Sequence, residues 1–353
     1  MFVRVNAFRI YLALALTVGT AMLLADKAVP PAFSGYPEGP KTRIWPDGRM
    51  PDAQPHQFAA MTEEAAAPDF NPDENRVATL QWFQPPSEKN ATDLCMVVVS
   101  GGGYSSCCDI PAMSSIVSRL LAKGIHCVNF TYRVPRPEGL PIYKTAWEDA
   151  QRAIRLVRLE ATKRGFSPRK IGMMGCSAGS HLGMLLAFSS QTPAYEPIDE
   201  ADSVPCNIAW AIPMCPAYVL TDGLLGANEK KGFGEDVAIA SVFSFDSASC
   251  PACFMHGGLD PYSPMGSVLS YCRLLRMGIP AELHLEANGV HGFMHYVRMN
   301  PTQVMLDFLR RRGFLQDGEP IAHSPATAEE NIARALAWGR KCQQGIQEDL
   351  SLW

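Results

Sequence analysis

A chain of 353 residues that is 47% hydrophobic has enough apolar material to bury a full core, and at this length an α/β architecture need not divide in two. Its formal net charge of −4 and isoelectric point near 6.1 supply no basic field for nucleic acid, and no run of Lys or Arg suits an anionic membrane surface. Those partners are excluded, and a neutral or polar small substrate is expected.

Arg4 and Arg9 precede an apolar run from Ile10 to Ala25, closed by Asp26 and Lys27, which is the layout of a secretory signal. Residues 1–28 are expected to direct export. Retention as a membrane anchor is the competing outcome, because Leu23 and Ala25 only half match the small-x-small cleavage rule. The run is shorter than the ~20 apolar residues of a comfortable spanning helix. Residues 29–75, rich in Pro, Gly, Asp and Ala without periodicity, read as an extended arm over a domain surface. Residues 76–316 carry the catalytic domain and 317–353 a helical extension.

Arg76 to Phe83 alternates apolar and polar residues, as an early strand does. Leu94 to Ser100 is a continuous apolar run suited to burial on both faces of a parallel sheet, and it ends in Gly101-Gly102-Gly103-Tyr104. Helical spacing follows over Met113–Leu121, a strand over His126–Thr131, and a long amphipathic helix over Thr145–Lys163. Ile171 to Met174 reads as the next strand and Ser180 to Ser189 as the helix behind it. Further strands fall at Asn207–Met214, Ala252–His256 and Ala281–Glu286, with helices at Met265–Arg276 and Thr302–Arg311. Strand and helix alternate, which implies a mostly parallel sheet covered by helices on both faces.

The chemistry centres on Gly175-Cys-Ser177-Ala-Gly179, a G-x-S-x-G between strand and helix. Such an elbow holds a serine in strained backbone at the end of a strand, while the helix behind it aims free N–H groups at a nascent oxyanion. The serine needs a base and an orienting acid, and in open α/β sheets these gather at the carboxyl ends of strands. Asp260, in His256-Gly-Gly-Leu-Asp-Pro, and His291, in Gly289-Val-His-Gly, both follow predicted strands. The order Ser177, Asp260, His291 matches that of serine hydrolases with an α/β sheet. The triple glycine, one strand-helix-strand unit earlier, offers N–H groups at Gly102 and Gly103 to join that of Ala178 as oxyanion donors. Tyr104 and Asp222 are candidate substrate contacts. His295 is the rival base, His256 sits too near Asp260 in sequence to be oriented by it easily, and Asp149 and His181 read as structural groups within helices. Asp246 lies in loop-like sequence near the site.

Of eleven cysteines, Cys95, Cys127, Cys176, Cys206 and Cys215 lie in or beside apolar strands and are expected to act as small buried hydrophobes. Cys250-x-x-Cys253 lacks a second pair, so no metal site is expected.

The stretches Ile44-Trp-Pro-Asp-Gly, Gly101-Gly-Gly-Tyr, Ala150-Gln-Arg-Ala-Ile-Arg-Leu-Val-Arg, Gly175-Cys-Ser-Ala-Gly-Ser-His-Leu, His256-Gly-Gly-Leu-Asp-Pro and Pro280-Ala-Glu-Leu-His with His291-Gly-Phe resemble the secreted bacterial acetyl-xylan and feruloyl esterase-like branch of the α/β-hydrolases, near the acetyl esterase and hormone-sensitive-lipase-like group. The resemblance runs from about Ile44 to Leu315. It implies an α/β-hydrolase fold and acyl-ester hydrolysis by Ser177, Asp260 and His291, with Gly102, Gly103 and Ala178 as oxyanion donors. Two departures stand out: Ser100 replaces the His or Pro usual before the glycines, and Cys107-Cys108 follows them. No cofactor is expected, because a triad and backbone donors suffice for acyl transfer. A serine peptidase of similar fold, or an inactive binding protein on a hydrolase scaffold, are the alternatives. Between Pro216 and Ser249 the segment Gly223–Gly234 is polar and glycine-rich, which predicts an open site without an apolar lid and a preference for short acyl groups. A histidine of ordinary acidity would set the acid limb of the rate near pH ~6.5.

Overall fold

The computed structural model describes residues 39, 41–46, 48–53, 77–86, 91–107, 114–135, 137–221, 237–292 and 299–319. Residues 1–299 and 300–353 form two compact units. The first holds one eight-stranded sheet in the order β1-β2-β4-β3-β5-β6-β7-β8. Its strands are β1 (Lys41–Arg43), β2 (Thr79–Phe83), β3 (Cys95–Val99), β4 (His126–Thr131), β5 (Ile171–Cys176), β6 (Trp210–Met214), β7 (Ala252–Gly257) and β8 (Ala281–Glu286). The β1/β2 and β2/β4 pairs are antiparallel and every pair from β4 to β8 is parallel. Helices α1 (Ser114–Ala122), α2 (Lys144–Glu160), α3 (Ala178–Phe188) and α4 (Met265–Arg276) make the crossovers.

Every residue of β3, β4, β6 and β7 is buried, so these strands are covered on both faces. That explains the unbroken apolar runs of β3 and β6. β2 departs from its alternating pattern, since Thr79 and Gln81 are buried along with Leu80, Trp82 and Phe83. Two hydrogen-bonded neighbours, β1 and β4, enclose it. At the opposite edge β8 is only half-buried, and there Leu285 is exposed while Glu282 and His284 are half-buried, the reverse of their polarity. An edge strand has only one neighbour to shield it.

The expected arm contributes more than surface cover. Lys41–Arg43 forms the edge strand, and Ile44, Trp45 and Met50 lie in the core. Helix α2 holds this stretch. Trp45 Nε1 donates to Asp149 Oδ1 at 2.6 Å, Arg152 Nε to Ile44 O at 3.0 Å, and Arg133 Nη1 to Pro51 O at 2.6 Å. Arg133 also donates through its backbone N and its Nε to Asp149, each at 2.8 Å, and through Nη2 to Glu148 at 2.8 Å. The quoted Ile44-Trp-Pro and Ala150–Arg158 stretches are thus parts of one buried joint.

In the second unit, α5 (Pro301–Arg311) starts with Asn300 capping Gln303 N at 3.2 Å and Pro301 at the first helical position, where its missing N–H costs nothing. Arg310 anchors its end on Asp317 at 2.8 and 2.6 Å. Among the described residues no helix is long and apolar enough to cross a membrane. Residues 1–28, read as signal or anchor, and all but the first residues of the C-terminal extension lie outside the described residues, as do Asp222, His295 and Cys108.

Candidate active site

Ser177 stands at the junction of β5 and α3 with φ 56° and ψ −120°, a conformation that non-glycine residues rarely adopt. Hydrogen bonds to the end of β6 hold the turn. Ser177 N donates to Met214 O at 3.0 Å, and the buried Ser180 hydroxyl lies 2.6 Å from both Gly175 O and Met214 O while accepting from Met214 N at 2.8 Å. Gly179 is required by contact, because a Cβ there would sit 2.5 Å from Ser100 O. The chain ending β3 therefore passes directly against the start of α3.

Ser177 Oγ–H donates to His291 Nε2 at 2.8 Å, and His291 Nδ1–H donates to Asp260 at 2.8 and 3.0 Å, which fixes the imidazole in the tautomer able to receive the serine proton. The three residues are separated by up to 114 positions in sequence and are brought together by the ends of β5, β7 and β8. The loops after β7 and β8 are laced to each other. Gly258 N donates to Glu286 O and Leu259 N to Gly289 O, both at 2.8 Å, so the acid and the base move as one piece.

Asp260 is buried and accepts from Tyr262 N at 2.8 Å, while His256 Nε2 lies 3.4 Å from its other oxygen. His256 is therefore a second support of the acid, against the expectation that it sits too close in sequence to reach it. The tight Gly257-Gly258 turn folds the four-residue interval back on itself. Its Nδ1 is fixed by Ser267 Oγ on α4 at 2.9 Å. Burial pushes the Asp260 carboxyl upward, but hydrogen bonds from His256 and His291 outweigh it and hold it below the ordinary carboxylate value. Burial disfavours the His291 imidazolium, yet the hydrogen bonds to Asp260 prevail and raise its pKa well above the ordinary histidine value.

The glycine loop lies against the nucleophile, since a Cβ on Gly101 would come 2.8 Å from Ser177 Cβ. Gly102 has φ 133° and would put a Cβ 2.0 Å from Ser106 O, so only glycine fits this turn, which Ser105 N and Ser106 N close onto Gly102 O at 3.1 and 3.0 Å. Gly101 is thereby set against Ser177, with Gly102 and Gly103 next along the loop and Ala178 next after the serine. Ser100, just before the glycines, turns its hydroxyl to Cys107 Sγ at 3.4 Å.

Tyr104 is not a substrate contact. It is 1% exposed, and its hydroxyl donates to Ala178 O at 3.0 Å and is shared with His181 Nδ1 at 2.8 Å. Its ring turns inward because Tyr104 itself has φ 61°, which directs the side chain beneath the loop. Burial drives His181 down to about 3, so it is a neutral hydrogen-bonding group. Asp246 accepts from Gln191 N and Ala248 N, both at 2.9 Å, and orders its own turn.

Sequence reasoning passed over Tyr218 and Tyr262. Tyr262 lies 4.8 Å from the His291 ring and 5.6 Å from that of Tyr218. Tyr262 follows Asp260-Pro261 and was findable there, whereas Cys215 (φ 40°) and Tyr218 (φ 59°) owe their placement to left-handed turns after β6 that leave no sequence signal. Cys176 is half-buried, not fully buried as expected, because the elbow ends its strand at the surface of the site. Two groups of three metal-ligand types occur among the described residues, Cys215/Asp260/His291 and Cys253/Glu282/His284, each with donor atoms within 4.8 Å of one another. In the first, the Asp260 and His291 atoms are engaged with each other.

The sheet order and the strand-end positions of these residues define an α/β-hydrolase. A family model described as BD-FAE matches residues 80–210, which contain the glycine loop and the elbow. Among curated relatives, endo-1,4-beta-xylanase B of Butyrivibrio fibrisolvens is 27% identical over 209 residues, covering 56% of this chain and 32% of that protein. Esterase LipQ of Mycobacterium tuberculosis is 26% identical over 210 residues, 55% of this chain and 48% of that one. The chain thus spans a third to a half of the length of these relatives. Among solved structures, an acetyl ester-xyloside bifunctional hydrolase of Caldicellulosiruptor lactoaceticus superposes with a TM-score of 0.57 at 24% identity, over 79% of this chain and 98% of that one. Apo esterase 2 of Thermogutta terrifontis follows at 0.56 and 22%, over 70% and 94%. The solved structures show the α/β-hydrolase fold for this chain, and the proteins it resembles in sequence include a xylanase and an esterase.

Proposed function

We propose that this protein hydrolyses carboxylic esters through a Ser177 acyl-enzyme, removing acetyl or other small acyl groups from carbohydrate alcohols. The observation that carries the reading is the continuous chain of hydrogen bonds from Ser177 Oγ through His291 to Asp260. Ser177 attacks the ester carbonyl as His291 Nε2 takes its proton, and the N–H groups at Ala178 and at Gly102 or Gly103 receive the negative charge on the oxygen. His291 returns the proton to the leaving alkoxide, then activates the water that frees the acid. Asp260 keeps Nδ1 protonated and stabilises the imidazolium formed in both halves.

The carbohydrate part rests on the xylan-related names among the similar proteins and on the polar stretch Gly223–Gly234, which lies outside the described residues. A short acyl preference accompanies it, since without an apolar lid each additional methylene forfeits about 0.8 kcal/mol of burial. Export rests on Arg4, Arg9 and the run Ile10–Ala25.

Labelling with a fluorophosphonate, followed by acetate release from acetylated xylan and from acetyl, butyryl and octanoyl esters of one alcohol, tests the esterase, carbohydrate and acyl-length parts. Labelled Ser177 with falling kcat/KM along the acyl series is expected. Folded protein that takes no label would be a binding module, and rates rising toward octanoyl would replace the carbohydrate reading by a lipid-like one.

A further inference from the structure

Two thiols that the triad chemistry does not use flank it from both sides. Cys176 immediately precedes the nucleophile and is half-buried, while Cys215 is wholly buried just beyond β6. Their sulfurs are 3.5 Å apart, in van der Waals contact across the adjacent strand ends. Cys215 also stands in the group with Asp260 and His291 whose donor atoms lie within 4.8 Å of one another. A bond formed between these sulfurs would therefore pull on the residue beside Ser177 and lie next to the ring of His291.

We propose that Cys176 and Cys215 are an oxidative modification site, at which hydrogen peroxide or a small organic disulfide converts the two thiols to an intramolecular disulfide that switches off the triad. The proposal rests on the esterase reading for its functional consequence, though not for the chemistry of the sulfurs. Cys176 is the entry point, because it is one of two described cysteines, with Cys272, that are not fully buried. Its thiolate attacks one oxygen of peroxide and displaces hydroxide, giving a sulfenic acid. Cys215 sulfur then attacks the Cys176 sulfur and expels the hydroxyl, which leaves as water with the Cys215 proton. The hydroxide collects the proton first lost by Cys176, so two thiols lose two electrons and one peroxide becomes two waters. With a disulfide oxidant, the same two displacements release two equivalents of its thiol. Cys215 is wholly buried, so oxidant reaches it only through Cys176, whose sulfur is already in contact with its own.

The bond draws the ends of β5 and β6 together beneath an elbow already in a strained conformation. Reacting groups displaced by about 1 Å lose on the order of 10²-fold in rate.

The test uses the full chain, reduced and then treated with hydrogen peroxide or oxidised glutathione. Ester hydrolysis is measured alongside peptide mapping for the 176–215 link. Expected are a linked peptide, a loss of activity of 10-fold or more that tracks it, and recovery with dithiothreitol. Cys176→Ser and Cys215→Ala should each keep activity under the same oxidant. Absence of the linked peptide while Cys272 becomes oxidised would overturn the proposal, and so would equal inactivation of the parent and both variants. Reduced protein that forms the link but never hydrolyses an ester would instead defeat the esterase reading and leave the dithiol site standing.

Discussion

Two buried carboxylates in this molecule receive three or more polar contacts each and serve opposite ends. Asp149 is fully buried in α2, where Trp45 and two groups of Arg133 surround it with donors that never titrate in the useful range. Asp260 is buried to a similar degree at the end of β7, but two of its partners are histidines. The first network can only hold the arm, β4 and α2 together. The second can exchange a proton, because His291 faces Ser177 on its other side. Burial and hydrogen-bond number do not separate a structural acid from a working one; the protonation chemistry of the partner does.

Substitution should pull the two networks apart. Ser177→Ala and Asp260→Asn are each expected to lower kcat/KM by about 10³-fold or more, as triad members do, Ser177→Ala with little change in melting temperature. A loss within tenfold for either would remove it from the triad. Asp149→Asn should do the reverse, costing about 3 kcal/mol of stability by removing one of the two buried carboxylates that Arg133 pairs with and leaving only Glu148, with kcat per folded molecule within a few-fold of the parent. Chemical denaturation beside single-turnover acylation checks both halves.

The pH dependence sharpens the same contrast. A base must be neutral, and Asp260 raises His291, so the acid limb of kcat/KM should lie above pH ~6.5 and move down in Asp260→Asn. This places the limb above the ordinary histidine value expected from the sequence alone. A raised folded-state pKa also adds stability that is complete below the unfolded histidine value and is lost as pH climbs through the folded one. Melting temperature measured across that interval should therefore decline in the parent more than in Asp260→Asn. A limb at or below pH 6.5 in the parent would show that Asp260 does not govern the base.

The smallest effect is expected at Tyr104. Tyr104→Phe removes the hydroxyl that braces Ala178 O and His181 and should lower kcat a few-fold, about 1 kcal/mol, with KM unchanged. A rise in KM alone would restore Tyr104 as a substrate contact.

Much of this was legible beforehand, and particular residues show why. The elbow could be read because G-x-S-x-G meets a steric demand that is local: Gly179 must clear Ser100 O, and the serine must sit at positive φ between a strand and a helix. The buried strands could be read because burial on both faces forces unbroken apolar runs. The strand over Ala281–Glu286 and the helix over Met265–Arg276 fall where periodicity put them. Other features escaped. Lys41–Arg43 looked like loop because a three-residue edge strand carries no period, and Tyr104 looked like a pocket residue because its inward turn depends on one left-handed backbone angle.

By itself, then, the sequence determined the layered α/β architecture, the position of the elbow and the chain order of serine, acid and histidine, because each is imposed by neighbours within a few residues. The tertiary structure alone decided which histidine supports Asp260 and which one faces Ser177, that Trp45 closes on Asp149 across 104 positions, and that Cys176 meets Cys215. Those contacts join residues on different strands and loops. They depend on the register and twist of the whole sheet, which no local stretch of sequence encodes.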